Sequence, residues 1–543
     1  MARPVTTQTW RSLALVTVAL GALVGGCGTT ATSPATGRTF STPISEQQEA
    51  SLGREEHPKI LQEFGGEYKE KPALTAYVSS VGQFIAATAE RKDVTYTFTV
   101  LNTPDVNAFA VPGGYIYTTR GLLALANNEA ELAGVLGHEA GHINARHTAE
   151  RAGQAQQTQL GVLGATLLGA VLGGQTGADL AGGLASQYGQ VRLAGYSQEQ
   201  EFEADSLGVR YMKRATYDPQ AMASFLAELR AQTQLEAKLA GKDPNLVDDA
   251  NMLASHPRTV DRVQRAIAEA GGPIPNAMTE RDIYLSKIDG IMFGDDPSQG
   301  VIAGGKFVHP PLRFAFEVPS GYKLVNLPDV VAIKGPKGTL GNLTLADPQP
   351  SGSLAAALQN YDPKGNIVFD NVENLTINGM EAATGLARVN TKSGSANYRS
   401  VFIRHPSGKV YEFVFLSLVD VGARYDSDFQ KIASSFRQIN ASEAAQYSKA
   451  QRIRIVTVKA GDTVQSLAGR MVVADDKEGW FRAERPEGRP AIAGGAEGED
   501  RHVRRGTHVV ARAARHCRPA GNDAAGGKSL RRRQLCYNSA DAG

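Results

Sequence analysis

The sequence predicts an α+β protein: a mainly helical domain with a small edge sheet over residues 44–275, followed by a separate α+β domain over 300–440. Three observations predict it. Period-2 alternation is confined to a short stretch, residues 94–117, inside an otherwise helical region. A long helical pattern opens at Glu129. After Pro273 the texture changes to short strand-like runs broken by Gly, Asn and Pro.

The elements follow in chain order. Arg3 and Arg11 flank a polar start, and Leu13 to Val24 is apolar but short for a bilayer span. Leu23-Val24-Gly25-Gly26-Cys27 ends it with small residues and a cysteine. This describes a secretory signal over 1–26 and resembles a bacterial lipobox. Cys27 is then the acylated N-terminus, anchored by its fatty chains. An ordinary signal peptide that happens to hold a cysteine is the bland alternative. Gly28 rather than Asp follows, which by resemblance to Gram-negative lipoproteins gives a periplasmic protein on the outer membrane. Residues 27–43, rich in Thr, Ser, Pro and Gly, read as a flexible tether.

Helices are expected over 45–92, then a strand, Val94 to Val100, and a second extended segment, Asn107 to Tyr117, interrupted by Pro112-Gly113-Gly114. The Gly/Ala/Leu stretch from Leu160 to Leu184 reads as a mobile cover or a membrane-leaning hairpin rather than a spanning helix. Helices resume near Ser197 and run to about Ala270. In the second domain the strand runs are Phe314–Val318, Val330–Ile333, Leu343–Leu345, Ala387–Val389, Val401–Arg404 and Tyr411–Phe415, with a helix from Asp426 to Phe436. Val456 to Ala468, with Gly461-Asp462-Thr463, resembles the first half of a LysM module, a glycan-binding βααβ unit, over 454–483. That implies peptidoglycan as a partner. Residues 484–543 lose apolar periodicity and turn Arg-rich, so they bury little surface and read as a disordered tail. A frameshift in a GC-rich gene is the preferred origin; a basic tail for anionic surfaces is the alternative.

Composition excludes several classes. The formal net charge is only +2, and no basic stripe with interleaved aromatics precedes the last stretch, so nucleic acid is not expected. Apart from Cys27 the cysteines are Cys517 and Cys536, so the domains use no disulfide framework and no cysteine metal ligand.

The chemistry lies in two strings. His138-Glu139-Ala-Gly-His142 falls on the helix from Glu129. Positions i and i+4 share a helix face, so both imidazoles can reach one ion, with Glu139 beside them to take a proton from water. Such a motif is a hypothesis until its context fits. A catalytic zinc needs a third protein ligand, and Ser197 to Gly208 supplies a helix carrying Glu201 and Asp205. Glu201 binds the ion in this reading, and Asp205 accepts a hydrogen bond from a ligand histidine and fixes its tautomer. Read without the first motif, the same helix is a solvated acidic face. His147, five residues past His142, reads as a surface or supporting residue on another face, and Glu131 as a helix-capping charge or a contact of the site. His57, His309 and His405 have no partner pattern.

These two strings, HExxH and some sixty residues later ExxAD, resemble the CaaX-protease-related zinc metallopeptidases of the HtpX and BepA types. The resemblance covers about 44–275 and implies a zincin-like (gluzincin) fold and one Zn²⁺ per chain. It implies Glu201, not Glu203, as third ligand. It also implies an edge strand after Asn107 that takes unfolded or extended polypeptide by β-addition. Ser255-His256-Pro257 and Arg262 match a segment whose histidine either caps the zinc or supports the oxyanion, so His256 and Arg262 join the catalytic candidates by resemblance. One departure stands out: Thr216 where the family often has Gly. The resemblance implies an envelope endopeptidase acting on misfolded or stalled proteins. Its rival is a periplasmic chaperone or assembly factor for outer-membrane proteins with latched proteolysis. No helical repeats of the BepA kind are found in the later half.

Overall fold

A computed structural model describes residues 29–154, 196–239, 260–269, 274–361, 367–391, 394–472, 476–483 and 508–512, with a few single positions between. Cys27, the 160–184 stretch and His256 lie outside the described residues. The described residues are α+β, with five separate sheets among them.

The first strands are unexpected. β1 (Thr29–Thr32) and β2 (Thr39–Thr42) pair antiparallel, Thr29 opposite Thr42, so most of the expected tether is a hairpin. Phe40 and Thr42 bury their side chains, and this anchoring overrides the turn-rich composition. α1 (Glu46–Glu63) starts at a reciprocal capping box between Ser45 and Gln48. α2 (Pro72–Ala86) opens with Pro at its first position, where no N–H is needed. β3 (Thr97–Leu101), β4 (Ala108–Val111) and β5 (Tyr115–Thr119) form a sheet in the order β3-β5-β4. β3 and β5 are parallel and β4 antiparallel, so among the described strands β4 is an edge. The β4–β5 turn closes on Gly113 and Gly114 at φ 85° and 95°. A Cβ at Gly114 would sit 2.3 Å from the Thr95 carbonyl oxygen, so the turn needs glycine there.

α3 (Arg120–Leu125) leads into α4 (Glu129–Ala145), the central helix, which is buried along nearly its whole length. Asn128 caps it by accepting from the Glu131 N–H at 2.9 Å. α5 (Gln198–Arg214) packs along it, capped reciprocally by Ser197 and Gln200. Their approach depends on glycine. A Cβ at Gly208 would lie 3.0 Å from the His138 nitrogen, and one at Gly141 3.0 Å from the Ala204 carbonyl. α6 (Gln220–Leu239), α7 (Val260–Glu269) and α8 (Arg281–Ile288) complete the helical layer.

Thr216 follows the end of α5 with φ 61°, the left-handed region. A β-branched residue is strained there, which accounts for the family's glycine. Thr216→Gly is expected to raise stability by about 0.5–1 kcal/mol, read as an increase in melting temperature. Unchanged or lower stability would refute the strain.

β6 (Met292–Phe293) leads to β7 (Val301–Ala303), the first strand of the second domain. β8 (Lys306–His309) and β9 (Phe314–Glu317) follow, then β10 (Lys323–Asn326), β11 (Val330–Lys334) and β12 (Leu340–Leu345). After α9 (Leu354–Gln359) come the long strands β13 (Asn371–Ile377), β14 (Met380–Thr391), β15 (Gly394–Arg404) and β16 (Val410–Leu418). α10 (Val419–Ser434) and β17 (Arg437–Gln438) close the domain. A seven-stranded antiparallel sheet, β10-β11-β12-β16-β15-β14-β13, faces a four-stranded one, β17-β9-β8-β7. Their shared core is aromatic: Phe307, Phe314, Phe316, Phe413, Phe415 and Phe436.

After α11 (Ala441–Tyr447), the LysM-like stretch gives β18 (Gln451–Thr457), α12 (Val464–Ala468) and α13 (Lys477–Ala483), and β19 (His508–Arg512) pairs antiparallel with β18. The backbone order is βααβ. Part of the expected disordered tail therefore supplies a strand. β18 also pairs with β6, and Ile453 is fully buried in the first domain's core. This stretch is thus packed onto the helical domain, not strung behind it. No helix among the described residues is long and apolar enough to cross a membrane.

Candidate metal centre

α4 turns His138 and His142 toward α5. The glycine-lined contact lets Glu201 and Asp205 approach closely enough to touch them. Glu201 Oε2 lies 3.6 Å from His138 Nε2, and its Oε1 lies 3.4 Å from His142 Nε2. The two Nε2 atoms are 2.9 Å apart, a separation that calls for a proton or a cation between them. One donor atom from each of His138, His142 and Glu201 falls within 4.8 Å of the others, and all three residues are buried. Asp205 Oδ1 meets His138 Nδ1 at 2.8 Å. Asp205 therefore accepts from Nδ1–H and leaves Nε2 with a lone pair for an ion.

The other ligand histidine is oriented by His147, in the supporting role that was one of its two expected ones. His147 Nδ1 lies 2.8 Å from His142 Nδ1, and His147 Nε2 lies 3.1 Å from Glu203 Oε2. His147 is fully buried. For His142 Nε2 to be free, its Nδ1–H donates to His147 Nδ1, and His147 Nε2–H donates to Glu203. Burial would raise the Glu203 carboxyl, but hydrogen bonds from His147 and Thr36, with the charge of Arg38, outweigh it and hold it down at about 2. Arg38 lies on the turn of the β1–β2 hairpin side and bridges Glu203 and Glu150, at 3.0 and 2.5 Å. The expectation that His147 faces elsewhere assumed a continuing helix. α4 instead ends at Arg146, whose φ of 62° turns the chain back under His142.

Tyr196 was missed. Its ring stacks on His142 with centroids 3.9 Å apart, and its hydroxyl is 3.3 Å from Thr148 Oγ1. The signal available in the sequence was its position directly before the capping residue Ser197. Burial pushes the Tyr196 phenol up, and Glu139 and Glu201 add to that electrostatically. Glu139 itself is buried, next to His138 on α4. A cleft beside His142 is walled by Ala110, Val111, Pro112 and Gly113 with Tyr196, so the end of edge strand β4 adjoins the ligand histidines.

Glu131 is a cap and does not reach the ligands: it accepts from Asn127 N–H at 2.7 Å and Ser224 Oγ at 2.9 Å. His57 Nδ1 lies 2.7 Å from the Tyr117 hydroxyl, remote from the cluster in role. His309 and His405 belong to the second domain, where burial lowers both. Arg262 falls on the backbone of α7, and its side chain is outside the described residues.

Two imidazole nitrogens and a carboxylate, each histidine held through Nδ1, fit zinc better than calcium or magnesium, which prefer all-oxygen sets. His147→Ala is expected to weaken zinc affinity about 10–100-fold, measured by chelator competition. Unchanged affinity would remove His147 from the site.

Residues 72–270 match peptidase family M48. The "Beta-barrel assembly-enhancing protease" of Yersinia pestis is 34% identical over 220 residues, 39% of this chain and 42% of that protein. Its namesake in Escherichia coli K12 is 33% identical over 223 residues, 40% of this chain and 43% of that one. "Mitochondrial metalloendopeptidase OMA1" of Schizosaccharomyces pombe is 28% identical over 254 residues, covering 46% and 68%. The matched part is thus less than half the length of the two bacterial relatives. The matched span encloses His138, His142 and Glu201 as one buried donor set that suits zinc, and over residues 72–270 this chain is similar to the peptidases of family M48.

Proposed function

We propose that this chain is a zinc metalloendopeptidase of the bacterial envelope, with a zincin-like (gluzincin) catalytic domain, hydrolysing peptide bonds of misfolded or stalled envelope proteins. The observation that carries the reading is the buried His138–His142–Glu201 donor set with Glu139 beside it. When bound, zinc supplies Lewis acidity that lowers the pKa of water and polarises the scissile carbonyl. Glu139 accepts the proton of the attacking water and returns it to the leaving amine. Asp205 and His147 keep the ligand imidazoles in the required tautomers. Strand β4, an edge among the described strands, offers its outer side to an extended substrate. His256 and Arg262 remain oxyanion or latch candidates by resemblance, and Cys27 is the proposed lipid anchor on the periplasmic face of the outer membrane. Peptidoglycan binding by the LysM-like stretch is a further part of the proposal.

The test is metal removal. Dialysis against a chelator should abolish cleavage of unfolded casein, and zinc should restore it while the fold, followed by circular dichroism, stays intact. Cleavage that survives complete metal removal would sink the reading. The bacterial relatives, beta-barrel assembly-enhancing proteases by name, favour a second reading, an assembly factor that holds client strands on β4. Client binding would then persist without hydrolysis.

A further inference from the structure

We infer that the second domain builds an extension of the substrate groove: a cleft that takes an apolar side chain followed by a lysine or arginine on the same unfolded polypeptide that is cleaved. This rests on the peptidase reading. The cleft has two compartments that share the turn 326–330. The first, about 260 Å³, lies between the domains and is lined by carboxylates: Glu63, Asp105, Asp295, Asp296 and Asp329. No lysine or arginine is among its described lining residues. The second, about 440 Å³, is mixed: Phe307, Leu312, Phe314, Leu327, Leu345 and Tyr411 form its apolar part, and His309, Asp347, Gln349 and Lys409 its polar rim. Leu327 and Leu345 are 38% and 44% exposed, large apolar side chains left to water in the absence of an occupant.

Hydrogen bonds tie the first domain to the segment that connects the domains at two points, and to the second domain at one. Asn102 Nδ2 donates to Asp296 Oδ2 at 2.8 Å, and Gln299 Nε2 to the Gly65 carbonyl at 3.1 Å. Gln62 Nε2 reaches Asp329 Oδ2 at 3.3 Å. These bonds pin the walls of the acidic compartment to one another.

Its position names the occupant. Asp105 stands three residues before β4 begins at Ala108, and the other end of β4 adjoins His142. Phe64, on the acidic compartment's wall, packs against Phe109 of β4 with ring centroids 5.2 Å apart. β4 thus runs between the candidate metal centre and the cleft, about 13 Å at strand spacing. A peptide lying on β4 continues from one to the other. The clustered carboxylates attract a cationic side chain, and the aromatic compartment takes its apolar neighbour.

The test uses the full chain and three probes: a long unfolded peptide with an apolar–lysine segment distant from the cleavage site, the same peptide with glutamate for that lysine, and a short peptide spanning the cleavage site alone. Leu327→Asp is expected to raise KM for the long peptide about tenfold and leave the short one, which cannot reach the cleft, as in wild type. Asp329→Lys should reverse the preference between the lysine and glutamate peptides. Equal effects on long and short peptides, or no effect on either, would overturn the cleft. Binding of the same probes to Glu139→Gln, read by fluorescence anisotropy, separates the two claims. Leu327-dependent binding in a protein whose wild type cleaves nothing keeps the cleft and discards the peptidase reading. Cleavage that ignores Leu327 and Asp329 does the reverse.

Discussion

Replacing Glu139 by Gln is expected to lower kcat by about 10³–10⁴ while zinc content matches wild type. The substitution keeps volume and hydrogen-bonding capacity on a helix that is buried along almost its whole length, so the fold and the donor set should survive. What it removes is a carboxylate able to take and return a proton. Glutamine's amide cannot do so near neutral pH. Zinc stays because none of His138, His142 and Glu201 is touched. The measurement is casein cleavage and metal analysis on the same preparation. Loss of zinc along with activity would mean that Glu139 supports the ligands, not the proton transfer. Retained activity would remove it from the chemistry. Retained binding of an unfolded client in a protein that never cleaved would support the assembly-factor reading.

The metal cluster was legible because its signal is local and chemical. His138 and His142 share a helix face by spacing alone, and Glu201 with Asp205 repeats that spacing on a second helix. What spacing could not show was how closely α4 and α5 approach. That is set by Gly141 and Gly208, where an added Cβ would meet backbone at 3.0 Å. His147 stayed between a surface and a supporting role because helical periodicity, carried past Arg146, put it on another face, whereas the left-handed turn ends the helix there. The strand runs of the second domain were seen where aromatics alternate, as in Tyr411 to Phe415. Short strands such as β7 and β8, joined by a tight turn at Gly304 and Gly305, were not. The β1–β2 hairpin was missed for a different reason. Its composition is that of a linker, and it is held by long-range partners, Arg38 with Glu150 and Glu203, that no local pattern reveals.

Stability should fall as pH rises, through a carboxyl pair at the start of the metal-bearing helix. Glu131, in the first turn of α4, and Glu228 of α6 are 1% and 2% exposed. Asn127 bridges them, donating its backbone N–H to Glu131 and its side-chain amide to Glu228. Ser224 and Asn128 also donate to Glu131. From α8, Tyr284 feels both carboxylates, and Arg281 acts on Glu228 with the opposite sign. Burial first, then the charge of Glu131, pushes the Glu228 carboxyl up to about 10; burial raises Glu131 as well. In the unfolded chain both return to ordinary glutamate values. Between 4.5 and about 10 the folded protein therefore holds a proton on Glu228 that the unfolded chain has released. The unfolded state binds fewer protons, so stability declines with rising pH across that window, with a limiting slope of about 1.4 kcal/mol per pH unit. Below the window both states are protonated and the penalty vanishes. Glu228→Gln supplies a neutral donor to Glu131 and removes the titration. It should leave stability near pH 4 unchanged, flatten the slope, and make the variant progressively more stable than wild type toward about pH 8. Chemical denaturation across pH decides this: an unaltered slope with uniform destabilisation would mean that the pair does not share a proton. The consequence reaches the metal centre, because ionising both carboxylates loosens the start of the helix that carries His138 two turns further on.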